Sequence, residues 1–176
     1  MKYQDCAEAL QADDAFDGLA GDPARLADAN INPSTGLASD YLNHFNEAIM
    51  LLEMLSSCPD CLDDFLGWRP KSYREHFEAS GFKGRALAIA AYDAADPSLR
   101  GCLDTLAGTR TAVLEATRAA MSSAVPPQSA VDLADRAATL LRPLVARAGA
   151  VINGEATTGA GEPATPQAMV DGLMKN

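Results

Sequence analysis

The chain has 176 residues, of which 48% are hydrophobic and 6% aromatic. This length is sufficient for one domain with a core, and the low aromatic content favours packed helices over a sheet. A net charge of −10 repels the phosphates of nucleic acids and of anionic lipids, so we expect neither nucleic acid nor a membrane as a partner. The sequence has no apolar run long enough to cross a bilayer, and its first residues lack the pattern of a signal peptide. We therefore expect a cytoplasmic protein.

The N-terminal part combines one imperfect helical pattern with a connection. Apolar residues in the segment 3–19 have irregular helical spacing and predict an amphipathic helix. Two prolines and a Ser-Thr-Gly turn follow, so residues 1–36 are interpreted as an arm and connection with one helical turn at 23–28.

The first strong helical pattern begins at Ser39, an N-cap candidate, and runs to about Ser56, shortly before Pro59. Apolar residues cover more than one face of its second half. Such a helix is typical of the centre of a bundle or of an oligomer interface.

Capping residues and apolar spacing predict five further helices. Ser72 and Glu75 form a capping-box pattern, and Asp96 with Pro97 is a typical N-cap followed by a first helical residue. Long helices joined by short turns are usually antiparallel neighbours. We predict an all-α antiparallel bundle of four main helices with a short helical insertion at 59–79. The five predicted helices are 59–66, 72–79, 85–94, 97–123 and 129–152, the last with a kink at Pro143.

The C-terminal segment 153–176 is predicted to lie outside a single helical domain that spans 1–152. Its first part, 153–166, is rich in Gly, Ala, Thr and Glu and predicts a flexible linker. A short helix with one apolar face follows; because such a helix is marginal alone, it either docks on a bundle or stays disordered until a partner offers a groove. Its apolar residues are Met169, Val170, Leu173 and Met174.

One candidate site is a cluster of metal-binding residue types. Asp40, His44 and Glu47 lie at i, i+4 and i+7 on one helical face, and His76 could complete a site with two nitrogens and two oxygens. Diiron bundles use Glu-x-x-His, whereas a tyrosine stands three positions before each histidine here. The simpler interpretation is a polar stripe at the start of a buried helix, with His44 paired to a neighbouring carboxylate.

The four cysteines are Cys6, Cys58, Cys61 and Cys102. In a cytoplasmic chain of this size we expect them to be reduced and mostly buried. Cys58 and Cys61 have the spacing of a redox or zinc pair, but the sequence offers neither the βαβ context of a redox motif nor a second close pair for zinc. We interpret them as small residues that flank a helix break.

A second candidate site is a basic segment in an otherwise acidic chain. Arg69, Lys71 and Arg74 surround the capping box and could bind a small anion or an acidic partner. Alternatively, these side chains pair with the protein's own carboxylates while Trp68 closes one end of the bundle.

The segments 40–47 and 68–77 resemble small helical proteins of proteobacteria that carry no assigned function. The resemblance covers residues 39–95 and implies a bacterial origin, but no activity, cofactor or substrate.

The sequence favours a protein that is not an enzyme. It contains no phosphate-binding loop, no Gly-x-Ser-x-Gly elbow and no spacing that indicates a catalytic triad, so we predict no catalytic residue and no cofactor. We expect an interaction or regulatory protein that forms a homodimer through the apolar second half of the 39–56 helix, with a possible further protein partner. The alternative is a bundle that binds a divalent metal or a small anion through His44, Glu47, His76 and the 69–74 region.

Overall fold

A computed structural model describes residues 23–122, 125–155 and 165–174. The predicted all-α class is confirmed, since these ranges contain helices and turns but no β-strand. Within them, no helix is long and apolar enough to span a membrane. The predicted helix at 3–19 and most of the predicted linker lie outside the described residues. The helices are α1 (Pro23–Asp28), α2 (Tyr41–Met54), α3 (Cys61–Gly67), α4 (Tyr73–Ala79), α5 (Arg85–Ala94), α6 (Pro97–Met121), α7 (Pro127–Ile152) and α8 (Pro166–Met174).

Two helices begin at the capping residues that the sequence predicts. At α4, the Ser72 hydroxyl accepts a hydrogen bond from the Glu75 backbone N–H (3.3 Å), and the Ser72 N–H donates to the Glu75 carboxylate (2.8 Å). At α6, the Asp96 carboxylate accepts from the N–H groups of Ser98 and Leu99. These bonds satisfy N–H groups that have no partner inside the helix.

The start of α2 differs from the prediction. Asp40, rather than Ser39, occupies the N-cap position, and it has helical dihedral angles and no side-chain capping bond. The Ser39 carbonyl instead accepts a hydrogen bond from the Leu42 N–H at 2.9 Å. The helix therefore begins through backbone bonds alone.

The core lies where α2 and α6 each pack against α7. A seam of residues along α6 is buried, and it includes the polar residue Arg110, which has no exposed surface. The Arg110 guanidinium lies 4.0 Å from the centroid of the Phe45 ring, and its Nε donates to the Leu106 carbonyl at 3.2 Å. Buried apolar residues of the α6 seam include Leu99, Leu103, Leu106 and Val113.

The described part of the N-terminal connection, from residue 23 onward, belongs to this core. Leu26 and Ile31 are buried, and the Thr35 hydroxyl donates to the carbonyl of Ile152 at the end of α7 (2.7 Å). Gly36 has a φ of 70°, a backbone conformation that glycine adopts without strain. The segment is thus held against the far end of the chain.

The C-terminal helix α8 is docked on its own bundle, against α6 and α7. Leu173 is 1% exposed and Met169 packs partly buried against the core, whereas Met174 is 47% exposed. Of the two states expected for this helix, the docked one is observed.

Candidate functional site

Most of the aromatic side chains form one connected cluster around the segment 68–77. Three of its rings come from α2, three from α4, and the others from the connections and α5. Neighbouring ring centroids lie between 4.2 Å and 6.3 Å apart, the usual range for favourable aromatic pairs. The cluster consists of Tyr41, His44, Phe45, Trp68, Tyr73, His76, Phe77, Phe82 and Tyr92.

Both histidines belong to this aromatic cluster. His44 is 5% exposed and stacks on Trp68 with 4.8 Å between ring centroids, and the Trp68 indole N–H donates to the His44 carbonyl at 3.2 Å. Burial, together with the positive charge of Lys71 and the neighbouring His76, lowers the pKa of His44 from 6.5 to about 4. Burial and the charge of Lys71 also lower the pKa of His76. Both imidazoles are therefore neutral at pH 7.

The predicted metal ligands are only partly brought together. The rings of His44 and His76 lie 5.9 Å apart between centroids, Asp40 is half-buried, and Glu47 is exposed. Nε2 of His44 and Oδ2 of Asp40 are buried and make no hydrogen bond with any described residue. Within the described part of the chain, no three His, Cys, Asp or Glu side chains are arranged to hold a metal ion, whereas a zinc site needs at least three protein ligands.

The three predicted anion-binding side chains have different surroundings. Arg69 donates to the carbonyls of Leu66 (2.7 Å) and Trp68 (2.8 Å), which lie at the C-terminal end of α3. Arg74 donates to the Asp93 carboxylate at 2.6 Å. Lys71 is exposed and makes no ion pair among the described residues. Only Lys71 thus offers a charge that is not already engaged by the described part of the protein.

Lys71 lines an open cleft of about 470 Å³ between the 70–75 segment and α6, which we call the tyrosine cleft. Three tyrosines form much of its wall, and their hydroxyls are engaged: Tyr41 donates to the Lys71 carbonyl (3.1 Å), and Tyr92 donates to the Asp104 carboxylate (2.7 Å). The third, Tyr73, accepts from the Ala38 N–H at 2.9 Å. The full lining is Tyr41, Pro70, Lys71, Ser72, Tyr73, Arg74, Glu75, Tyr92, Asp104, Ala107, Gly108 and Thr111.

The tyrosines of the cleft are poor proton donors and nucleophiles. Burial raises the pKa of Tyr41 to about 12, and it raises the pKa of Tyr73 and Tyr92 further, in Tyr92 with the help of the Asp104 carboxylate. These hydroxyls therefore do not provide a general base at pH 7.

Asp104 and Tyr92 are among the cleft residues that sequence reasoning missed. They lie on different helices, and a pattern within one helix cannot reveal their contact. The aromatic cluster was partly visible, because Tyr41, His44 and Phe45 are spaced for one face of a helix.

The cysteines differ in their oxidation state. Cys58 and Cys61 are free thiols, whereas Cys102 is disulfide-bonded. The expectation of four reduced cysteines is therefore wrong at Cys102. Cys6 lies outside the described residues.

Two exposed methionines, Met50 and Met54, lie one turn apart on α2 and form what we call the methionine face. Their exposed fractions are 51% and 41%. Glu53, which lies between them in the sequence, forms an ion pair with Arg142 of α7. The methionine face is an apolar surface on the same helix whose other side is buried in the core.

No family model, curated protein or solved structure matches this chain.

Proposed function

We propose that the protein is a non-enzymatic interaction or regulatory protein that acts as a homodimer, built on an antiparallel bundle of four main helices. The observation that carries this proposal is the methionine face. Large exposed apolar side chains mark binding surfaces when they cluster, and methionine adapts its shape to a partner. The ion pair of Glu53 with Arg142 beside the face supplies the charged rim that is typical of protein interfaces.

The packing of α2 supports an interface on this side. Its buried residues Tyr41, Phe45, Ile49 and Leu52 are 4% exposed or less, so α2 cannot rotate to bury its methionines without exposing larger aromatic groups. A second copy of the chain can cover the face without such a rotation. In a two-fold dimer each methionine face would meet the same surface of the other subunit.

The test is a charge introduced into the methionine face. Met50→Glu and Met54→Glu should shift the protein from dimer to monomer in sedimentation velocity at micromolar concentration, with unchanged helicity by circular dichroism. Met174→Glu is the matched control, because it adds the same charge at an exposed methionine on α8. If Met174→Glu dissociates the protein as strongly as Met50→Glu, the interface does not lie on α2.

A second candidate function is the binding of a small anion in the tyrosine cleft. Lys71 supports it, since this residue lines the cleft and makes no ion pair with any described residue. Asp104 and Glu75 in the same lining oppose it by repelling anions. Titration calorimetry with inorganic phosphate should then show binding that Lys71→Gln removes and Lys83→Gln leaves unchanged. Equal binding by both variants would refute the assignment.

The metal alternative depends on the buried Nε2 of His44 and Oδ2 of Asp40, two polar atoms without a described partner. If these atoms bind a divalent metal together with His76 and Glu47, one equivalent should co-purify and be lost in His44→Ala. Elemental analysis of the purified protein without zinc, iron, manganese, nickel or copper, together with no thermal shift when they are added, would exclude it.

The oxidation state of Cys102 is an indicator of the cellular compartment. The sequence favours the cytoplasm, where thiols are kept reduced, whereas the disulfide at Cys102 is typical of an oxidising compartment. Alkylation in intact cells before reduction distinguishes the two. We expect the peptide that contains Cys102 to be alkylated only after reduction; immediate alkylation would show that this thiol is free and would favour the cytoplasm.

A further inference from the structure

Cys58 and Cys61 stand at the two ends of a tight turn between α2 and α3. The Cys61 N–H donates to the Cys58 carbonyl at 3.0 Å, and Asp60 has φ −65° and ψ −20°. With Pro59 at the second position, this is a type I turn, whose first and last Cα atoms lie within about 7 Å. A disulfide joins Cα atoms that are about 4.4–6.8 Å apart. The turn thus brings the two Cα atoms close to the distance range that a disulfide spans.

Both thiols are free. A side-chain hydrogen bond with Cys58, then burial and the negative charges of Asp64 and Asp60, raise the pKa of Cys61. Cys58 is half-buried, whereas Cys61 is buried. The pair therefore consists of one thiol that solvent can reach and one that lies directly behind it.

We propose that Cys58 and Cys61 form a redox-active dithiol, which a small-molecule disulfide oxidises to an intramolecular disulfide. The Cys58 thiolate attacks one sulfur of the small disulfide, forms a mixed disulfide, and releases one thiolate. Cys61 then gives its proton to solvent, and its sulfur attacks the Cys58 sulfur and expels the second thiolate. Two protein thiols lose two electrons and two protons, and the small disulfide gains them as two thiols.

The order of these steps follows from exposure. The attacking thiol must reach a reagent in solvent, and of the two only Cys58 has appreciable exposed surface. Cys61 does not need to reach solvent, because its target is the Cys58 sulfur at the other end of the same turn. An intramolecular reaction with this geometry is far faster than attack by a second molecule from solution.

The test uses the full-length protein in glutathione buffers. The protein is equilibrated with mixtures of reduced and oxidised glutathione, quenched with acid, alkylated with iodoacetamide and digested with trypsin. Residues 26–71 form one tryptic peptide with Cys58 and Cys61 as its only cysteines, because the Arg69–Pro70 bond resists cleavage. Cys102 lies in a different peptide, so its disulfide does not interfere with the readout.

We expect the wild-type peptide to lose two hydrogen atoms and to bind neither glutathione nor iodoacetamide under oxidising conditions. Cys61→Ser and Cys61→Ala should instead retain glutathione on Cys58, at a level at least about tenfold above that of the wild type. Cys58→Ser should remain unmodified at Cys61. The wild-type result does not depend on how well the variants fold.

Two results would overturn the proposal. One is a wild-type peptide that keeps both thiols, or accumulates glutathione on Cys58, across all oxidising mixtures. The other is a Cys58→Ser variant that gains glutathione at Cys61 as fast as the wild type reacts at Cys58.

Discussion

Replacement of His44 by phenylalanine should reduce the loss of stability in acid. The change keeps an aromatic ring beside Trp68, with which His44 stacks at 4.8 Å. It also removes a buried Nε2 that has no described hydrogen-bond partner. At pH 7, where His44 is neutral, we therefore expect the free energy of unfolding to be equal to or slightly above that of the wild type.

The effect appears between pH 6.5 and pH 4. Burial lowers the pKa of His44 in the folded protein from 6.5 to about 4, so in this window the unfolded chain binds a proton that the folded chain does not. Stability contributed by His44 is complete above pH 6.5 and is lost as the pH falls. The difference between the two pKa values corresponds to about 3 kcal/mol. His76 contributes with the same sign, since its pKa is also lowered.

The assay is urea denaturation followed by circular dichroism at pH 7, 6, 5 and 4. The wild type should lose about 3 kcal/mol more than His44→Phe over this range. Because the chain has only two histidines, His76→Phe and the double variant separate the two contributions. If the curves of the wild type and His44→Phe run parallel, burial does not lower the pKa of His44.

The remaining predictions concern α8 and the start of α4. Leu173→Ala should lower the free energy of unfolding by about 2–5 kcal/mol, as is usual for a fully buried leucine, and urea denaturation measures it. Deletion of 153–176 should leave a folded bundle with a lower melting temperature; a truncated chain without cooperative unfolding would place the C-terminal helix inside the domain. Ser72→Ala should cost about 1 kcal/mol by removing the capping bond to Glu75, and an unchanged urea midpoint would show that α4 does not depend on its cap.

Local signals in the sequence were sufficient for the starts of α4 and α6. The box of Ser72 and Glu75 and the pair Asp96 and Pro97 each determine backbone bonds within a few residues, and α4 and α6 begin there. The prediction of Ser39 as the N-cap was wrong. A serine caps a helix only when its backbone is extended and its hydroxyl faces the first turn, and both depend on how the preceding connection packs.

The candidate site was harder to predict from the sequence, because its contacts join segments that are distant along the chain. Periodicity placed His44 on a helical face, but its stacking on Trp68 depends on the path of the chain between α2 and α4. The spacing of Cys58 and Cys61 was visible, whereas the backbone hydrogen bond that closes the turn between them was seen only in the structure. The docking of Leu173 depends on a groove that α6 and α7 form together, about which the C-terminal segment itself carries no information.

The mass of the wild-type protein in solution tests the proposed function most directly. The chain has a mass of 18.4 kDa. If the methionine face of α2 is a homodimer interface, sedimentation equilibrium at micromolar concentration should give twice this mass. A mass of one chain across the whole concentration range would contradict the proposal.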